Sequence, residues 1–140
     1  MEILFAPFIA WLLAQIIKTI IVCWQEKRLA LSVIVASGGM PSSHTAGVVA
    51  LACQIGFTQG FDSPLFAICV VFSSVVIYDA INVRRSVGEQ AIAFNSLLED
   101  LANAGISDDE KVKVVLGHTP LQVLAGLGIG LAVGLLPLIL

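Results

Sequence analysis

Four apolar stretches, set apart by short polar or glycine-rich breaks, dominate the chain. They run from about 3–24, 44–59, 64–82 and 120–140. A membrane-spanning helix needs roughly 20 apolar residues, with a range of about 17–25. The second stretch is marginal, so it either starts earlier or is short and shielded by its neighbours. The connection from Gly56 to Pro64 predicts a tight turn.

The region from about 86–117 has a different pattern. Val87, Ala91, Phe94, Leu98 and Leu101 recur at helical spacing, and Glu89, Glu99 and Asp100 mark a polar side. Gly105 predicts a helix stop. Ser107 followed by Glu110 fits a capping box that opens a second short helix to Leu116. The pattern therefore predicts two amphipathic helices, lying on the membrane surface or capping the bundle. The expected fold is all-α: one integral membrane domain over 1–140, a compact bundle of four transmembrane helices with short amphipathic helices on one side.

Composition strengthens this picture. The chain is 58% hydrophobic and 12% charged, with a mean hydropathy of +0.98. Soluble domains are about half apolar and about a quarter charged. The apolar run after Met1-Glu2-Ile3 lacks a basic leader and is too long for a signal peptide, so it predicts a retained helix. Cys23, Cys53 and Cys69 all fall inside apolar stretches, without metal-ligand spacing, and read as inert thiols.

Position matters more than the net charge of -3. Lys27 and Arg28 follow the first stretch; Arg84, Arg85, Lys111 and Lys113 lie between the third and fourth. An even number of crossings puts all six on one face, while the opposite loops carry only Glu2 and Asp62. The positive-inside rule makes the basic face cytoplasmic and puts both termini outside. A bacterial inner membrane is the expected location. Gly126, Gly130 and Gly134 form a small-residue face on the last helix. It suits packing within the bundle or across a homo-oligomer.

Candidate chemistry gathers on the basic face. The only two histidines, His44 and His118, each sit at the start of an apolar helix. Lys18 lies near the end of the first helix, and Asp79, Arg84 and Arg85 near the end of the third. Helix N-termini offer unpaired N–H groups and a positive dipole end. Ser42 or Ser43 can cap the second helix; Thr119 can cap the fourth, with Pro120 at its first position. Gly38-Gly39 permits close backbone approach to a ligand. Arginine suits phosphate oxygens, and ionisable groups within a membrane helix are costly to keep. Together these features favour an anion, phosphate above all. A Ser-His-Asp hydrolase drawn from Ser42 or Ser43, His118 and Asp79 lacks a Gly-x-Ser-x-Gly elbow. A metal site on His44, His118 and Asp79 has unspecific spacing. No Walker-type loop points to a nucleotide, and nothing points to nucleic acid.

Pro41-Ser42-Ser43-His44 resembles the Pro-Ser-Gly-His motif of the type 2 phosphatidic acid phosphatase superfamily. His118 with Gln122-Val123 and Gly126 resembles its last motif, His-x3-Asp-Val-x2-Gly. The string is most similar to a small divergent branch, labelled acid phosphatase/vanadium-dependent haloperoxidase-related. Gly38 to His44, Tyr78-Asp79-Ala80 with Val83-Arg84-Arg85, Gly88-Glu89-Gln90-Ala91 and Gly117-His118-Thr119-Pro120 carry the likeness. Four positions depart from the superfamily. Counting from Lys18 along the first motif reaches Gln25 and Glu26 in place of Arg-Pro. Val112 stands where an Arg precedes the last His, with Arg84 or Arg85 as replacement. Gln122 stands where an Asp would orient that His, with Asp79 as substitute.

The resemblance implies hydrolysis of a lipid phosphomonoester or prenyl diphosphate without metal or other cofactor. His118 would be the nucleophile and His44 the acid and base. Lys18, Ser42, Ser43, Arg84 and Arg85 would hold the phosphate. The expected partners are the lipid phosphate substrate and membrane lipids. The departures leave a second reading, a non-catalytic protein that binds or transports anionic lipids.

Overall fold

A computed structural model describes residues 2–27, 39–105 and 111–136. Its elements are α1 (Phe5–Glu26), α2 (Ser43–Gln59), α3 (Pro64–Tyr78), a π turn (Asp79–Val83), α4 (Arg84–Asn103) and α5 (Pro120–Leu135). A single 3-10 turn, Glu2–Leu4, leads into α1. No strand occurs among the described residues.

The cap residues explain the helix starts. Ser42 Oγ accepts the Thr45 N–H at the head of α2. Ser63 Oγ accepts the Phe66 N–H at the head of α3, with Pro64 in its first turn. Thr119 and Gln122 form a reciprocal capping box on α5, with Pro120 following. Each cap satisfies an N–H that the helix itself cannot.

The bundle is closed by small side chains. Ala6, Ala10 and Ala14 on α1 meet Ala46 and Ala50 on α2, with Val133 of α5. Gly126, Gly130 and Gly134 all face α2. A Cβ at Gly130 would lie 2.7 Å from the Ala46 carbonyl oxygen, and one at Gly134 2.6 Å from Cys53 Cβ. Missing side chains let the two backbones approach as membrane helices do. The glycine face is therefore filled by α2 of the same chain. Ser73 Oγ ties α3 to α2 by donating to the Cys69 and Val48 carbonyls.

Large apolar side chains point outward instead. Phe5, Phe8, Leu12, Ile16, Ile20 and Trp24 on α1, and Ile68, Val71, Phe72 and Val75 on α3, are exposed. Such a surface is stable against lipid and not against water. Two helical rods are long and apolar enough to cross a membrane: Phe5–Glu26, and the 40-residue run Pro64–Asn103. α5 is apolar but has 16 residues, and α2 has 17. α2 packs against α1, α3 and α5, the shielding that its short length requires.

The largest departure from expectation lies between α3 and α5. α3 does not end near Asn82; it continues through the π turn into α4 as one rod. The first amphipathic helix is thus an extension of a span and not a separate surface helix. The second is not found where described: 111–119 are irregular, and Ser107 and Glu110 lie outside the described residues. The valine-rich return instead runs back along α4. Asn95 grips Val112 with two hydrogen bonds of 2.8 Å, donating to its carbonyl and accepting its N–H. Lys111 Nζ pairs with Glu99 at 3.3 Å.

Candidate active site

The return segment delivers His118 to the π turn. In a π turn the Arg84 N–H bonds the carbonyl of Asp79, five residues back, so the Ala80 carbonyl is skipped. That carbonyl accepts the His118 N–H at 2.9 Å. Gly117 makes the approach feasible: a Cβ there would lie 2.8 Å from both the Ala80 oxygen and the Arg84 carbonyl carbon. From the other side, the Ser42 N–H donates to the Gln122 carbonyl at 3.0 Å, locking the start of α2 onto the first turn of α5. The two histidine-bearing helix starts are therefore joined by a backbone hydrogen bond.

These contacts enclose a cavity of about 550 Å³. Its polar wall is Ser42, His44, Asp79, Arg84 and His118; Val75, Val76, Val83, Val87 and Val115 are among its apolar wall. Five of the eight site residues expected from sequence thus line one space. Lys18 is 2% exposed, with its stem 3.6 Å from where a Gly39 Cβ would sit. It lies behind the cavity, near enough for its charge to act on His118. Ser43 is buried beside the cap, outside the lining. Arg85 turns away and pairs with Glu89 at 3.0 Å. Between the two arginines offered by the sequence, Arg84 alone reaches the cavity.

Arg84 is held by Asp79, Nε to Oδ2 at 2.6 Å. The Asp79 carboxylate therefore faces a guanidinium, and it does not hydrogen-bond His118. Gln122 is also committed, its Oε1 accepting the Thr119 N–H at 3.0 Å. His118 Nδ1 is buried and has no hydrogen-bond partner among the described residues. Burial, followed by the positive charges of Lys18, His44 and Arg84, pushes the His118 pKa down to about 4. A neutral imidazole beside cations is the form that can act as a nucleophile.

The anion-binding elements are partly spent as well. The Ser42 N–H is taken by Gln122, and Ser42 Oγ accepts from Thr45 Oγ1 at 3.0 Å. The first-turn N–H groups of Ser43 and His44 have no helical carbonyl to meet, and of these two residues His44 lines the cavity. Sequence reasoning named Gly117 within a motif without giving it a role, gave Thr45 none, and missed the π turn. Thr45 was legible as the third residue after the Ser42 cap. The π turn carries no comparable signal.

The Divergent PAP2 family matches this chain over residues 1–133. The chain belongs to the Divergent PAP2 family. It is also similar to the uncharacterized membrane protein YuiD of Bacillus subtilis (strain 168), 36% identical over 134 residues. That alignment covers 88% of this chain and 85% of the relative. No solved structure matches. The chain is thus an all-helical membrane protein of a family related by name to phosphatidic acid phosphatases.

Proposed function

We propose that this protein is a membrane-embedded phosphatase that hydrolyses a lipid phosphomonoester or prenyl diphosphate through a phosphohistidine. The observation that carries the reading is the shared cavity, in which His44, His118 and Arg84 face one another beside an apolar wall. Phosphate meets the cationic side and the hydrocarbon chain runs along the valines. Because His118 Nδ1 is sealed off, Nε2 is the nitrogen that attacks phosphorus. The bond from phosphorus to the leaving oxygen breaks, and His44 gives its proton to that oxygen, an alkoxide from a phosphomonoester or a prenyl phosphate from a diphosphate. His44 then takes a proton from water, whose oxygen attacks phosphorus. The P–N bond breaks, inorganic phosphate leaves and His118 is regenerated. Arg84 and the α2 N-terminus stabilise the charge that develops on phosphorus, with Lys18 adding to the field.

The basic residues beside the cavity support a cytoplasmic site, four crossings and both termini outside, in a bacterial inner membrane. A second reading draws on one observation: among the described residues no carboxylate orients His118, since Asp79 is held by Arg84 and the amide of Gln122 by Thr119. A site so arranged can bind or carry an anionic lipid without turnover. Phosphate release from detergent-purified protein in EDTA separates the two. Release that requires His118 supports the phosphatase. Lipid-phosphate binding that survives His118→Ala, with no release by either protein, supports the binding protein.

A further inference from the structure

We infer that Asp79 is a positioning residue, set by the π turn to hold Arg84 with its two terminal amino groups left for phosphate. The inference rests on the cavity being the phosphate site proposed above. It gives Asp79 a task that is neither acid–base chemistry nor the orientation of His118.

Two neighbouring arginines show what the turn does. Each is bound through Nε by one carboxylate oxygen. Arg85 pairs with Glu89, four residues on, which is the ordinary spacing of a helix surface, and Arg85 lies off the cavity. Arg84 pairs with Asp79, five residues back, and both line the cavity. In an α-helix two residues five apart point about 140° from each other around the axis, toward different faces. The π turn closes its backbone bond over that same interval. The Arg84 N–H meets the Asp79 carbonyl and Arg84 Nε meets the Asp79 carboxylate, so the two residues are joined twice. The same extra residue leaves the Ala80 carbonyl for the His118 N–H. One turn thereby sets the arginine and the imidazole against each other.

A guanidinium carries five N–H groups in one rigid plane. Asp79 takes the one on Nε, at 2.6 Å. The others, on Nη1 and Nη2, make no hydrogen bond among the described residues. They form the edge that grips two phosphate oxygens at once. Stability does not account for the pair: its side chains are 58% and 40% exposed, and an exposed ion pair adds little to a fold. An acid on the wall of an anion site also repels the ligand, unless its charge is spent on a cation there. A free arginine gives up rotamers on meeting phosphate; one already held by Asp79 has given up part of them beforehand.

The test compares Asp79→Asn with Asp79→Ala in detergent-purified protein. Both remove the negative charge, and only asparagine keeps an oxygen that can accept from Nε. The probe is inorganic phosphate, titrated by phosphorus NMR, with release from a lipid phosphate measured beside it. Asp79→Ala should bind phosphate about threefold to tenfold more weakly than Asp79→Asn, the effect of one hydrogen bond. In an Arg84→Ala background that difference should vanish. Equal binding by the two variants with Arg84 present would reduce Asp79 to a charge. A difference that persists without Arg84 would mean that Asp79 acts through another group or through the fold. Either result overturns the inference, and with release by the wild type it leaves the phosphatase standing. The expected pattern in a protein that releases no phosphate from any lipid phosphate contradicts the phosphatase and leaves the role of Asp79 standing. A wild type that neither binds nor releases phosphate overturns both.

Discussion

The α1–α2–α5 bundle and the α4 arm hold themselves together by opposite means. In the bundle, alanines and glycines are inside and large apolar residues outside, so contact comes from close backbone approach. In the arm, one helix and one irregular segment are joined by Asn95, by the Lys111–Glu99 pair and by the close fit at Gly88. Lipid offers no hydrophobic drive between helices, so the bundle depends on fit. In the arm, polar side chains fasten a segment that has no helical ladder of its own. The candidate site lies where the two regimes join, at the π turn.

That contrast predicts a steep gradient of mutational cost. Gly130→Val drives a side chain into the Ala46 carbonyl and Val49, and should destabilise by about 3 kcal/mol or more, read as lost monodispersity and a lowered Tm in detergent. Gly128 faces open space on the same helix, and Gly128→Ala should leave Tm unchanged or slightly raised. Equal damage at both positions would refute tight packing as the cause.

At the junction, Arg84→Ala should lower phosphate release about 10²-fold or more, the cost of losing a charge-stabilising donor. Arg85→Ala, which loses only an exposed pair with Glu89, should stay within about twofold. Steady-state kinetics on one lipid phosphate would decide; a reversed order would mean that the cavity is not the site.

The His118 pKa sets a pH dependence. It is lowered to about 4, so the folded protein resists protonation that the unfolded chain accepts near 6.5. Its contribution to stability is complete above about pH 6.5 and is lost as pH falls toward 4. The nucleophile stays neutral over the same range, so the acid limb of kcat/KM that belongs to His118 should lie near pH 4. Lys18→Gln removes one of the depressing charges and should move that limb upward. Imidazole NMR of His118 in both proteins would check the shift directly.

The smallest effect belongs to the arm. Asn95→Ala releases the return segment from α4 and should cost about 1–2 kcal/mol locally, seen as faster hydrogen exchange at Val112 and Val114 with an unchanged bundle.

Much of this was legible in the sequence because it rests on local rules. The caps Ser42 and Thr119, Pro120 and the three-glycine face follow from short patterns with one physical meaning each. The clustering of His44, His118, Asp79 and Arg84 followed from counting crossings. Other features depend on contacts distant in the chain. The repeat in α4 showed a helix but not its fusion to α3, since a π turn leaves no break in hydrophobicity. Ser107 and Glu110 suggested a capped helix, whereas Val112, Val114 and Val115 form an irregular return that Asn95 fixes from 17 residues away. The fates of Asp79 and Gln122 were likewise invisible, because each had a nearer partner than His118.

The most direct test is phosphate release from a panel of lipid phosphates by detergent-purified protein in EDTA, wild type beside His118→Ala. The account predicts release by the wild type and a loss of about 10³-fold or more in the variant, with both proteins folded and monodisperse. Release that persists undiminished without His118, or none from any lipid phosphate by folded wild type, would contradict it.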